Sequence, residues 1–168
     1  KFSIVRYGNV ISSRGSVIPK FKEINKTNKL YKFPVTHKKM TRFLISLESG
    51  VNTVLFAIKN QIGGEIYVPK MPSCKILDLC KAINPSRGVE IIGVRPGEKL
   101  HEELIPQADS LDTINIKNHY IILANNINKT KIKNHFKKKF KISRVNENFS
   151  YNSYQNNFLN VKQIKSIV

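Results

Sequence analysis

Three short stretches carry side chains suited to holding an anionic ligand. In Arg95-Pro96-Gly97-Glu98, Pro followed by Gly suits the two central positions of a type II turn, which brings the flanking Arg and Glu together. A guanidinium for phosphate and a carboxylate to accept ribose hydroxyls make a workable nucleotide clamp. The alternative is a surface turn whose ion pair is worth at most about 1 kcal/mol. Arg42, within Met40-Thr41-Arg42-Phe43, offers the same bidentate chemistry, or is a solvated surface residue. Asn9 follows a short apolar run and carries a donor and an acceptor in one amide, or serves as a turn-former after Gly8. His101 beside Glu102 and Glu103 invites a metal reading. The spacing is not HExxH and no second ligand group accompanies it, so no metal is assigned.

The elements that must position these groups alternate in type. Residues 2–7 read as a short buried strand and 12–15 as a turn-prone loop. Residues 17–25 suggest a helix with Pro19 in its first turn, and 31–35 an extended piece. Thr41 to Ile45 reads as a strand. Ser46 can cap the helix that follows, with Leu47, Val51, Val54, Leu55 and Ile58 as its buried face. Gly63-Gly64 ends that helix and 65–68 is the next strand. Ser73 is a plausible cap for a helix whose buried stripe is Ile76, Leu79, Cys80 and Ile83. A strand at 90–94, a short helix at 100–105 and a strand at 119–123 follow. Lys129 to Lys141 is a basic, weakly patterned run, and 161–167 could form a last helix. Strands alternating with helices predict an α/β fold with parallel pairing. In such sheets ligands lie beyond the carboxyl ends of the strands, which is where Asn9 falls.

Composition bounds the partners. The 168 residues suit one domain, and 40% hydrophobic content argues against wholesale disorder. A net charge of +18 favours anionic partners, although joint enrichment of Lys, Asn and Ile also follows from codon bias. No apolar run reaches the ~18 residues of a membrane span. No signal-peptide pattern follows Lys1, so a cytoplasmic location is expected. Cys74 and Cys80 fall in one predicted helix, roughly 120° apart around its axis, where they cannot pair; reduced, buried thiols are expected. Phe136 and Phe140 interleave with Lys137-Lys138-Lys139, a mixture that could bind nucleic acid but is more often a solvated run. Sequons begin at Asn25, Asn128 and Asn148, and mean little without a secretion signal.

Taken in order, Arg6 to Pro19, Met40 to Glu48 and Arg95 to Glu102 resemble the carboxyl half of the inverting UDP-N-acetylglucosamine 4,6-dehydratases, members of the extended short-chain dehydrogenase/reductase family. The resemblance is strong over residues 2–105, moderate to 123 and weak beyond. It implies that Asn9, Arg42, Arg95 and Glu98 bind the UDP-sugar substrate, with Asn25, Lys32, Phe33 and Pro34 as weaker lining positions. It implies that Val10, Ile11, Ser12, Ser13 and Arg14 line an NADP pocket; Ser12 stands where the family commonly has Gly or Ala. In that family, hydride leaves C4, water is eliminated across C5 and C6, and hydride returns to C6, with inversion at C5.

GxGxxG does not occur in the sequence, and no tyrosine is followed four residues later by a lysine. In the family these elements lie upstream of the first strand seen here, so the resemblance implies an α/β fold class, the carboxyl-terminal part of an extended Rossmann-type fold: a late sheet strand plus a substrate-binding lobe. Residues 1–124 are expected to hold the end of the NADP-binding sheet interleaved with that lobe, and 125–168 a variable basic loop and tail. The chain is expected to be a fragment supplying substrate and cofactor contacts but no catalytic residue, inactive alone, from a parent that is a homo-oligomer. Two rivals remain: another nucleotide-sugar enzyme of the same family, such as a 4-epimerase or a retaining dehydratase, and a non-catalytic basic module binding nucleic acid.

Overall fold

The computed structural model describes residues 1–27, 31–123 and 129–168. The expected boundary at 124/125 and the start of the sequon at Asn128 lie outside the described residues. The chain forms two compact units, each gathered from separate segments: Lys1–Tyr7, Leu47–Lys70 and Glu103–Asn152 in the first; Gly8–Ser46, Met71–Glu102 and Ser153–Val168 in the second.

The first unit is built on a five-stranded mixed sheet. Its strands are β1 (Ile4–Val5), β5 (Ile66–Pro69), β9 (Thr113–Ile116), β10 (His119–Ile122) and β11 (Ile142–Arg144), in the order β1-β5-β10-β9-β11. In this sheet β1 and β5 run parallel and every other neighbouring pair is antiparallel, with β9 and β10 forming a hairpin closed by the two-residue turn at Lys117-Asn118. The expected parallel pairing holds in this sheet between β1 and β5, whereas β9 and β10 must be antiparallel because a two-residue connection can join only antiparallel neighbours. Tyr67, Ile114, Ile116, Ile121 and Phe136 form the core. Glu65, fully buried beside it, accepts hydrogen bonds from the Ile62 and Gly63 N–H groups and the Tyr67 hydroxyl at 2.6, 2.7 and 2.9 Å. Burial and that carboxylate push the Tyr67 hydroxyl pKa far up.

Several expectations are corrected in this unit. The first strand is two residues long and not buried: Phe2 is 91% exposed and Ile4 57%. Helix α2 (Leu47–Asn60) buries Gly50, Thr53, Ala57 and Asn60, while the expected core stripe of Leu47, Val51, Val54, Leu55 and Ile58 faces outward. The small face can approach the sheet closely, and its polar members are satisfied within the helix: Thr53 Oγ1 donates to Ser49 O and Asn60 Nδ2 to Phe56 O. The expected helix at 100–105 is absent; Glu103–Ile105 is strand β8, paired antiparallel with β12 (Tyr151–Asn152). That pairing spans more than forty residues, so no local pattern announces it. The basic run is helix α4 (Lys129–Lys139), anchored by buried Phe136 and ending in Lys137-Lys138-Lys139, which complements the helix dipole.

The second unit holds helix α1 (Val17–Lys26), strands β2 (Asn9–Val10), β3 (Phe33–Val35), β4 (Thr41–Ile45), β6 (Ser73–Lys75) and β7 (Val89–Ile91), and helices α3 (Ile76–Ile83) and α5 (Val161–Ile167). Strands order as β2-β4-β6, with β2 parallel and β6 antiparallel to β4; β3 and β7 form a separate parallel pair. Ile18, Phe21, Phe33, Leu79 and Ile164 are among its core residues. Ser73 is not a cap: it lies in β6, and α3 starts after Lys75 with no side-chain cap. Cys74 is therefore in a strand and Cys80 in a helix, contrary to the single predicted helix; both are free and buried. Burial pushes each thiol up to about 12. The last helix matches its expected bounds, starting with a capping box between Asn160 and Gln163.

Candidate functional site

The second unit brings the three sequence islands together. Parallel pairing sets Asn9 opposite Leu44 and Val10 opposite Ile45. The approach needs Gly8, because a Cβ there would come within 2.3 Å of the Phe43 Cβ. With its amide oriented so that nitrogen faces the carboxylate, Asn9 Nδ2 donates to both Glu102 oxygens at 2.8 and 3.2 Å. Its carbonyl oxygen is then what it can offer a ligand.

In the sequence Glu102 suggests only a metal ligand beside His101, and its part in this site is not foreseen there. Its carboxylate also accepts the Phe43 N–H at 3.0 Å and lies 3.8 Å from Arg42 Nε. Burial pushes its pKa up, opposed by the Phe43 N–H and by Arg42. Its backbone is pinned by Ser153: the Glu102 N–H donates to Ser153 Oγ at 2.9 Å and the Ser153 N–H to Glu102 O at 2.7 Å. The available signal was position alone, four residues past Glu98 in the same island. His101 serves packing: Nδ1 is 2.7 Å from Thr41 Oγ1 and the ring lies against Tyr154. Among the described residues no group of three His, Cys, Asp or Glu side chains could hold a metal.

The Pro-Gly turn forms as its residues demand. Glu98 N–H donates to Arg95 O at 3.0 Å, and Gly97 takes φ +78°, the value a type II turn requires. Glu98 faces Arg42 at 3.6 Å rather than Arg95, accepts from Thr36 Oγ1 at 3.5 Å, and receives the Arg95 N–H at 3.4 Å. Arg42, with its side chain 13% exposed, also donates through Nη1 to Thr41 O and Leu100 O at 2.8 and 3.2 Å. One guanidinium thus ties strand β4 to the turn.

Asn9, Pro34, Arg42, Arg95 and Glu98 line one cavity of about 260 Å³. Val17, Lys20, Thr36 and Ile92 line it too and were not singled out in the sequence. The other weak positions lie elsewhere. Phe33 is fully buried against Phe21, ring centroids 5.0 Å apart. Asn25 Oδ1 accepts from Asn84 Nδ2 at 2.8 Å, and the exposed Lys32 lays its stem along Gly88. Cavities of about 300–1,000 Å³ are usual for a drug-sized ligand, so this one suits only part of a nucleotide sugar.

After β2 the chain turns through Ser12, which takes φ +62°; the Ser13 N–H donates to Val10 O and the Ser16 N–H to Ser13 O. Arg14 is exposed, and Ser16 Oγ is buried without a hydrogen-bond partner among the described residues. Two apolar residues followed by hydroxyls and a guanidinium form a donor set that fits a phosphorylated dinucleotide.

Residues 1–124 match the family model described as "Polysaccharide biosynthesis protein". The chain belongs to that family. Among its relatives is the inverting UDP-N-acetylglucosamine 4,6-dehydratase of Campylobacter jejuni, 48% identical over 122 residues, which cover 73% of this chain and 36% of that protein. The UDP-glucose 4-epimerase of Rickettsia canadensis is 34% identical over 98% of this chain and 48% of its own length. The X-ray structure of Pen from Bacillus thuringiensis superposes with a TM-score of 0.82 at 30% identity, covering 99% of this chain and 49% of that one. The chain therefore spans from about a third to half the length of these family members. The mixed α/β architecture is that of the carboxyl-terminal part of an extended short-chain dehydrogenase/reductase.

Proposed function

We propose that this chain is the substrate-binding part of a nucleotide-sugar 4,6-dehydratase that acts on UDP-N-acetylglucosamine with inversion at C5, in surface-polysaccharide biosynthesis. The observation that carries the reading is the convergence of Asn9, Pro34, Arg42, Arg95 and Glu98 on one cavity, from positions 9 to 98 of the sequence. Arg95 meets phosphate and Glu98 accepts the ribose hydroxyls, while Arg42 and Glu102 hold Glu98 and Asn9 in place. Residues 1–124 hold the end of the NADP-binding sheet interleaved with the substrate-binding lobe, and the later residues add β11 to that sheet before the C-terminal tail. Val10 to Arg14 contact NADP, which supplies hydride transfer when bound; these residues position it and exclude water, and no catalytic acid or base is assigned to this chain.

The outward apolar face of α2 and the open edge of β1 support a fragment reading: both suit burial beneath the nucleotide-binding half of a longer parent. The epimerase relatives favour a second reading, a nucleotide-sugar 4-epimerase, since their similarity extends over nearly the whole chain. The higher identity to the dehydratase favours the first. The nucleic-acid reading loses its stacking platform, because Phe136 is fully buried.

The test is turnover of UDP-N-acetylglucosamine by the full-length parent, with NMR of the product. A 4-keto-6-deoxy sugar inverted at C5, lost in Arg95→Ala, is expected. A 4-epimer as sole product would replace the dehydratase reading, and no turnover of any UDP-sugar would end both.

A further inference from the structure

Lys20 is the fourth residue of α1 and lines the same cavity as Arg42, Arg95 and Glu98. These three cations are not equivalent. Arg42 is neutralised by two carboxylates, at 3.6 Å from Glu98 and 3.8 Å from Glu102. The Lys20 ammonium and the Arg95 guanidinium make no hydrogen bond or ion pair with any described residue. The first turn of α1 carries no acidic residue to compensate Lys20. Two other lysines of the helix, Lys22 and Lys26, do not line the cavity, and Lys22 Nζ donates to Val168 O. Lys20 is thus set apart from the generally basic surface by where it faces.

We propose that Lys20 binds the distal phosphate of a nucleoside diphosphate group whose proximal phosphate is held by Arg95, which makes Lys20 a specificity-determining residue for diphosphate over monophosphate. This rests on the nucleotide-sugar reading of the cavity. The diphosphate bridge of a nucleotide sugar carries two negative charges over two phosphates, one for each unmatched cation. An ammonium meets phosphate as a compact point charge and needs no fixed plane, so a flexible stem at an exposed position of α1 suffices.

The test uses the full-length parent and isothermal titration at low salt, with UDP-N-acetylglucosamine and UMP as probes. Lys20→Met should weaken UDP-N-acetylglucosamine binding about tenfold, the size of one charge-assisted hydrogen bond, and leave UMP binding unchanged. Lys20→Arg should restore most of the loss. Lys26→Met, which removes an equal charge away from the cavity, should leave both ligands unaffected. An equal loss for both ligands in Lys20→Met, or the same loss in Lys26→Met, would overturn the proposal in favour of general charge attraction. Full binding in Lys20→Met together with lost binding in Arg95→Ala would overturn the Lys20 assignment and keep the nucleotide-sugar reading. No binding of either probe by the unaltered parent would overturn both.

Discussion

Replacing Arg42 by Lys should destabilise the chain even with no ligand present. The guanidinium bonds two backbone carbonyls, Thr41 O and Leu100 O, and faces two carboxylates, Glu98 and Glu102. An ammonium at the end of a lysine stem keeps the charge but not the fork, and can serve about half of these partners. Two lost charge-assisted interactions at about 1.5 kcal/mol each give about 3 kcal/mol. Water reaching Glu98 and Glu102, which are 28% and 26% exposed, returns part of that and leaves about 2 kcal/mol. For a chain of 168 residues this corresponds to a Tm lowered by about 4–8 °C. Arg42→Ala, which leaves both carboxylates unpaired, should fall further, by about 3–5 kcal/mol. Thermal unfolding followed by circular dichroism at 222 nm gives the order. A Lys variant that melts within about 1 °C of the parent chain, yet loses UDP-sugar binding, would refute the reasoning: Arg42 would then grip the ligand and not the protein.

Gly97→Ala meets no atom within 4 Å, so its cost is backbone strain at φ +78°, about 1–2 kcal/mol in urea unfolding; a larger loss would mean the turn is packed. Glu65→Gln puts an amide N–H against one of three protein donors and should cost about 2–4 kcal/mol in the same assay, whereas a change under about 0.5 kcal/mol would contradict the buried network. For Glu102 the folded pKa lies above its ordinary value of 4.5, so the folded state binds the proton more tightly. Its contribution to stability is therefore present at low pH and lost as pH rises from about 4.5 through the raised value; Glu102→Gln should flatten that part of the stability–pH curve, and an unchanged slope would refute the assignment. Cys74 and Cys80, both pushed up to about 12, should resist a thiol reagent at pH 8 in the folded chain and react fully in urea.

Local chemistry was legible in the sequence. Pro96-Gly97 demanded its turn, the Thr41–Ile45 strand and the last helix kept their expected bounds, and the islands carried Asn9, Arg42, Arg95 and Glu98, which share one cavity. These depend on φ, on caps and on short-range pattern, all of which act within a few residues. What depended on distant partners was not legible. A stripe at helical spacing states that five side chains of α2 share a face, but not which face the sheet takes; the small face won because Gly50 and Ala57 permit close approach. Cys74 became a strand residue because β4 lay beside it, and Glu103–Ile105 because Tyr151–Asn152 did. In the sequence Glu102 suggested only a metal reading that its spacing did not support, and Lys20 was not singled out. Only tertiary structure decided that one braces Asn9 and Arg42 while the other faces a cavity with no partner among the described residues, because a charge's role is set by its neighbours in space.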